Sequence, residues 1–407
     1  MRNRISTLRR PERIDTAPAQ APQRATVVLQ TTWWERWRRA IGIGAGMVLL
    51  FKGATEVVAL LAASSGHAGN ALLSPWNVWD TGWWTRIAGN GYVGAMQPHA
   101  DSTAFAPAFP VVVRGFEHVL PIDALAAAML ASTVSLLLGA VVLYRVVETA
   151  YGRRAAAATL VVLLTFPAAF FLSAPYSEAL SLAAVALVMY GMQQQRWWLA
   201  GSAAAVAMLS KYALVVIPIA VVVEYAARGW QRHQRPRVHE VIAVTAPSVA
   251  AGAAFLAYMQ ARFHDPLHFL GAERTAWLHA FSSPANVVHR MVDTLVHPDP
   301  RPAWTLTNVV DDIAVIATVG VAVWMLAGRY RREQAGWTAM VVLTAIVFLC
   351  MTVPDSATRY LLPIAPVFAV LGVAAARRPR VAAPVLAGSA ALMVLQLTHF
   401  TQRLWTG

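Results

Sequence analysis

Lysine is almost absent from this chain, where Lys52 and Lys211 stand against 31 arginines. Charge of either sign is scarce, at 13% of residues, while 57% are hydrophobic, a balance that excludes both an ordinary water-soluble domain and a disordered polymer. A lone cysteine, Cys350, excludes an intrachain disulfide framework and a cysteine-built metal site. Gly-rich loops that cradle nucleotide phosphates are missing, as are fixed-period repeats and low-complexity tracts beyond a richness in Ala and Val. What fills the chain instead is long apolar runs.

Segments of about 20 apolar residues each suffice to cross a bilayer. They recur near residues 40–63, 122–144, 155–173, 178–193, 197–210, 212–227, 239–260, 308–327, 335–353, 360–376 and 382–400. This pattern predicts an all-α polytopic membrane protein with about eleven transmembrane helices, forming one domain over residues 39–407. The formal net charge of +13 raises nucleic acid as a partner, but 23 of the 33 basic residues fall in the tail and in alternate connections. That distribution marks a cytoplasmic face rather than a nucleic-acid groove. The N-terminus is then cytoplasmic, and two long connections, residues 64–121 and 261–307, lie on the outer face of the cell membrane. The Arg-rich head, residues 1–38, reads as a disordered tail held near anionic lipid headgroups and not as a cleavable signal.

Function is sought in the outer connections. There Trp79, Asp80, Thr81, Gly82, Trp83 and Trp84 set one carboxylate among indoles. Trp76, Trp79, Trp83, Ile87 and Gly91 recur at spacings of three and four, which predicts a helix lying in the membrane interface. Two readings fit. The tryptophans serve as an anchoring belt with Asp80 solvated beside them, or Asp80 is a general base that removes the proton of an alcohol as a new bond forms. In the second reading Trp79, Trp83 and Tyr92 offer flat apolar faces to a sugar ring or an isoprenoid tail.

Past Gly91 and Tyr92 the chain continues with Ala104, Phe105, Ala106, Pro107, Ala108, Phe109 and Pro110. This order resembles the first outer loop of the PIG-V-like mannosyltransferases, members of the GT-C class of polyprenyl-phosphate-sugar-dependent glycosyltransferases. Three further strings resemble that family's motifs: Ser173 to Glu178 (SAPYSE), Asp265 to Phe269 (DPLHF), and Thr358 to Pro363 (TRYLLP). The resemblance implies a GT-C-like bundle whose outer loop carries interfacial helices. It also implies a lipid-linked sugar donor and inverting transfer of mannose to a hydroxyl of a glycolipid, glycan or protein. Two departures stand out: Lys211 occupies a place where the family commonly has an arginine, and Ala106 and Ala108 replace bulkier residues.

The remaining outer charges divide between structural and functional readings. Glu178 begins a span, where a carboxylate suits the helix dipole and Ser177 is a natural cap, yet the resemblance makes it a wall of the site. Lys211 and Arg359 lie at outer ends of spans, and either snorkel to the interface or hold the phosphate of the donor. Asp101 is a second outer acid, and His264 with Asp265 are candidate substrate contacts. His264 and His268 have a zinc-chelating spacing that Pro266 between them weakens. Lys52 and Glu56, one turn apart in the first span, are placed to neutralise each other. No cofactor is implied, and a divalent metal is left open. Another lipid-linked sugar, such as arabinose, glucose or galactose, fits the same residues. A transporter of lipid-linked solutes is the rival class, though the halves of the chain lack the paired broken spans it calls for.

Overall fold

The computed structural model describes residues 33–63, 72–94, 101–277, 279–328, 330, 334–352, 355–404 and 406. Among these residues the protein is all-α, with one isolated bridge between Phe281 and Met351 and no strand. Residues 1–32 of the expected tail lie outside the described set, and Trp33–Arg38 are already helical, seven residues ahead of the expected first span.

The first helix, α1 (Trp33–Ala62), is followed by two short helices of the first long connection, α2 (Thr81–Asn90) and α3 (Ala108–Val119). A run of packed helices follows: α4 (Ala124–Tyr151), α5 (Arg153–Leu164), α6 (Glu178–Gln193), α7 (Trp197–Ser210), α8 (Val216–Gln231) and α9 (Val238–Phe263). The second long connection carries α10 (His268–Ala276) and α11 (Pro284–Val296). The chain then runs through α12 (Pro302–Ala327), α13 (Ala335–Leu349), the single turn α14 (Ala357–Leu361), α15 (Ala365–Arg377) and α16 (Pro379–Thr401). Six segments are long and apolar enough to cross a membrane, and α6, α7, α13 and α15 are shorter apolar helices beside them. Their surfaces expose large aliphatic side chains such as Leu50, Leu61, Val249, Ile316 and Val323, as befits an integral membrane protein whose solvent is lipid. The count of eleven crossing helices is thus an expectation that length and composition meet for six.

The interior is built from small residues that let backbones approach, because lipid supplies no hydrophobic drive to pull helices together. Helix α6 packs between α4 and α7, and α5 packs against α15. A Cβ on Gly201 of α7 would lie 2.1 Å from the carbonyl oxygen of Ala243 in α9, and one on Gly372 of α15 would lie 2.5 Å from the Cα of Thr159 in α5.

Where the helices break matters most. The expected span over 155–173 stops at Leu164, because Pro167 lacks an amide proton and its ring clashes with the preceding turn. A buried 3-10 turn, Ala169–Leu172, carries the chain on to Pro175 and Tyr176 before α6 begins at Glu178. Lys211 is a single extended residue between α7 and the 3-10 turn Tyr212–Val215. Arg359 belongs to the five-residue α14 rather than to the start of a span, since Pro363 separates that turn from α15. Broken helical backbone between apolar helices is tolerated where it is buried in protein, as at Ala169–Leu172, Lys211 and Arg359. The predicted interfacial helix over Trp76–Gly91 is broken as well: Trp76 sits buried in a 3-10 turn, Trp79 is left-handed at φ 53°, and the helix starts only at Thr81.

Gly201→Ala, which pushes a methyl into a carbonyl, is expected to cost about 1–3 kcal/mol. Thermal unfolding in detergent reads this as a lowered midpoint, while Gly42→Ala, with nothing within 4 Å of the added carbon, leaves the midpoint unchanged or higher.

A buried four-charge cluster as the candidate active site

Asp80, Glu178, Lys211 and Arg359 come together from four separate stretches of chain. Arg359 donates from Nη1 to Asp80 Oδ2 at 2.6 Å and from Nε to Glu178 Oε1. Lys211 Nζ donates to the same Glu178 Oε1 at 2.8 Å. The Glu178 side chain is 0% exposed, and its Oε2 is buried without a partner among the described residues. Two anions and two cations make the cluster neutral, which is the condition for charge at this depth.

Aromatic rings wall the cations. The Arg359 guanidinium lies 4.7 Å from the ring centroid of Tyr176 and 5.1 Å from that of Phe171, while Lys211 Nζ lies 4.1 Å from the centroid of Tyr360. Of the five N–H donors of the guanidinium, those to Asp80 and Glu178 are engaged, and no other is paired among the described residues.

Asp80 sits at the rim, its side chain 21% exposed. It precedes α2, yet its carboxylate makes no capping bond to that helix. Instead its backbone N–H donates to the hydroxyl of Tyr176 at 3.1 Å, and its carbonyl accepts from Trp83 and Trp84. The carboxylate is thereby left for Arg359 and for whatever enters from outside. Among the described residues six non-glycine residues are left-handed, and four of them, Gln195, His233, His264 and Arg403, end helices, where that conformation is common. The other two, Trp79 and Ser356, immediately flank the segments that carry Asp80 and Arg359.

The other sequence candidates are distributed around this core. Asp101 is buried and accepts from the Thr103 backbone at 2.9 Å and hydroxyl at 2.7 Å, and its Oδ2 lies 3.0 Å from His268 Nε2. It joins the two long connections. Tyr92 donates to the carbonyl of Phe105 at 2.5 Å, and Tyr212 donates to that of Thr103 at 2.8 Å, wiring the same loop to the start of α8. Trp83 stacks on Phe105 and meets Trp277 edge-on, whereas Trp79 is 41% exposed. His264 is the left-handed cap of α9 and Asp265 closes a local turn onto Leu267, so the zinc-like spacing is not realised: His268 turns to Asp101 instead. Among the described residues no group of three or more His, Cys, Asp or Glu side chains is placed to hold a metal ion.

One expectation is corrected: Ser177 forms no cap bond to α6, its Oγ being buried without a partner among the described residues. Lys52 and Glu56 stay within electrostatic reach of each other, Lys52 also donating to the Ser173 carbonyl at 3.1 Å and Glu56 accepting from Trp76 Nε1 at 2.9 Å. Tyr176, Tyr360 and Asp311 were not singled out from sequence. The first two lie inside quoted motifs, and the third is an acid within an apolar span, a signal that marks function or a buried partner.

Residues 106–258 match the family described as dolichyl-phosphate-mannose-protein mannosyltransferase. The matched stretch holds Tyr176, Glu178 and Lys211 and excludes Asp80 and Arg359. Among solved structures, the chain aligns with ArnT from Cupriavidus metallidurans in the apo state at 16% identity and a TM-score of 0.49, covering 84% of this chain and 62% of that one. It aligns with the Archaeoglobus fulgidus oligosaccharyltransferase at 12% identity and a TM-score of 0.45, covering 86% of this chain and 53% of that one. The chain thus spans between about half and two thirds of the length of these two proteins. No curated protein sequence matches.

Glu178→Gln removes the anion that both buried cations share and is expected to destabilise the protein by about 3–5 kcal/mol. A fall in thermal midpoint larger than that of Asp80→Asn, whose carboxylate is partly hydrated, checks this.

Proposed function

We propose that this protein is a membrane glycosyltransferase of the GT-C class that moves mannose from a polyprenyl-phosphate carrier to an acceptor hydroxyl. The observation that carries the reading is the contact between Asp80 Oδ2 and Arg359 Nη1 at 2.6 Å. It joins a carboxylate at the rim to a guanidinium anchored on a buried glutamate. Support for the donor comes from the match of residues 106–258 to a family named for dolichyl-phosphate-mannose. The PIG-V-like motifs at Asp80, Glu178 and Arg359 point the same way.

The chemistry assigns each group a task. The Asp80 carboxylate takes the proton of the acceptor hydroxyl as its oxygen attacks the anomeric carbon. The bond from that carbon to the phosphate oxygen breaks, its electron pair staying on the phosphate, which departs with one more negative charge. Arg359 and Lys211, each with N–H donors beyond those given to Glu178 and Asp80, receive that charge. A single displacement from the face opposite the phosphate inverts the anomeric centre. Glu178 orders the two cations, and contact with the sugar or the acceptor is assigned to Trp79, Trp83, Tyr92, Asp101, His264 and Asp265. The arginine-rich connections lie at the opposite helix ends, which supports a cytoplasmic N-terminus and a site on the outer face of the cell membrane.

The test incubates protein in lipid nanodiscs with radiolabelled polyprenyl-phosphate-mannose and glycolipid, glycan and peptide acceptors, with glucose, galactose and arabinose donors in parallel. Wild type is expected to form a mannoside, and Asp80→Asn, verified as folded, to lose at least about 100-fold in rate. Transfer by Asp80→Asn at the wild-type rate would falsify the assignment of the base.

A further inference from the structure

Helix α12 is apolar over nearly all its length, yet it carries two adjacent acids, Asp311 and Asp312. Ionisable groups within a membrane-length helix are expensive unless engaged. Asp311 is engaged fully: Oδ2 accepts the Ser356 N–H at 2.8 Å, and Oδ1 accepts the Thr358 N–H at 2.8 Å and the Thr358 hydroxyl at 2.6 Å. It is 1% exposed.

These bonds land on the start of α14. That helix is one turn long, too short to hold its own shape. Its cap residue, Ser356, is left-handed at φ 66° and makes no side-chain capping bond. Asp311, 45 residues earlier in the chain, does for α14 what a cap side chain ordinarily does from its own helix end. Thr358, pinned at both its amide and its hydroxyl, is the residue immediately before Arg359. We infer that Asp311 is a positioning residue, fixing the backbone at Ser356 and Thr358 and thereby aiming the Arg359 guanidinium at Glu178 and Asp80. Asp312 provides a built-in comparison, because its Oδ2 is buried without a partner among the described residues and no bond joins it to α14.

This role rests on the proposed function of Arg359, but two arms of its test stand apart from sugar transfer. Full-length protein in nanodiscs is made as wild type, Asp311→Asn, Asp311→Ala, Asp312→Asn, Arg359→Ala and the Asp311→Ala/Arg359→Ala double variant. Amide hydrogen exchange over residues 355–361 is expected to accelerate in Asp311→Ala while exchange along α12 stays as in wild type. Binding of radiolabelled polyprenyl phosphate is expected to weaken about tenfold or more in Asp311→Ala. Asp311→Asn keeps an oxygen for Thr358 but turns an amide toward the Ser356 N–H, so its loss is intermediate, and Asp312→Asn binds as wild type does. In the Arg359→Ala background the Asp311→Ala change costs no further affinity, the non-additivity expected of a residue that acts through another. Equal losses in both backgrounds, or unchanged exchange at residues 355–361, would overturn the inference. A wild type that forms no glycoside yet shows these exchange and binding effects would overturn the enzyme reading and leave Asp311 as the organiser of an anion site.

Discussion

The carboxylate of Glu178 has no contact with solvent, and a charge in such a place persists only because Lys211 and Arg359 converge on its Oε1. The geometry of the site follows from this demand. Lys211 reaches it from the extended residue between α7 and α8, and Arg359 from the short turn between α13 and α15. Each contact needs the backbone to leave the helix at the right depth, and Pro167, Pro175 and Pro363 stand at or beside two of the breaks. The fold spends helix continuity there and recovers stability in the close contacts of α4, α6, α7 and α9.

Charge organised in this way has a direction. Glu178 and the two cations lie inside, and Asp80 is the member that remains partly open, with Tyr176 holding its backbone and no helix claiming its side chain. The first long connection is in turn fastened to the second by Asp101 and His268 and by the cluster of Trp83, Phe105 and Trp277. Residues 280–282 pair with 350–352 just ahead of the turn that bears Arg359. The wall that carries the acid and the wall that carries the guanidinium are therefore braced by the same two connections.

Much of this architecture was legible in the apolar periodicity. Runs of hydrophobic residues are long and their ends are charged, so α6, α7, α9 and α16 fall within three residues of expectation, while α4 runs seven residues past its expected end at 144. The breaks were less legible: Pro167 ends α5 nine residues before the apolar run itself ends, and composition cannot register that. Asp80, Glu178, Lys211 and Arg359 could each be chosen as charges at outer boundaries, but their mutual pairing is a property of four distant segments. Sequence misled where local backbone took over, as at Trp79, whose left-handed conformation breaks the expected helix over Trp76–Gly91, and at Ser177, which makes no side-chain cap to α6. Asp311 was passed over because its partners lie on a turn that sequence periodicity is too short to reveal.

The central claim is a division of labour in which Arg359 holds the departing phosphate and Asp80, its resting partner, is the base. Equilibrium binding of radiolabelled polyprenyl phosphate to nanodisc-embedded Asp80→Asn and Arg359→Ala tests it directly. The account predicts that Asp80→Asn binds at least as tightly as wild type, because a competitor for the guanidinium is gone, and that Arg359→Ala binds about tenfold or more weakly. Equal loss of binding in both variants would contradict it.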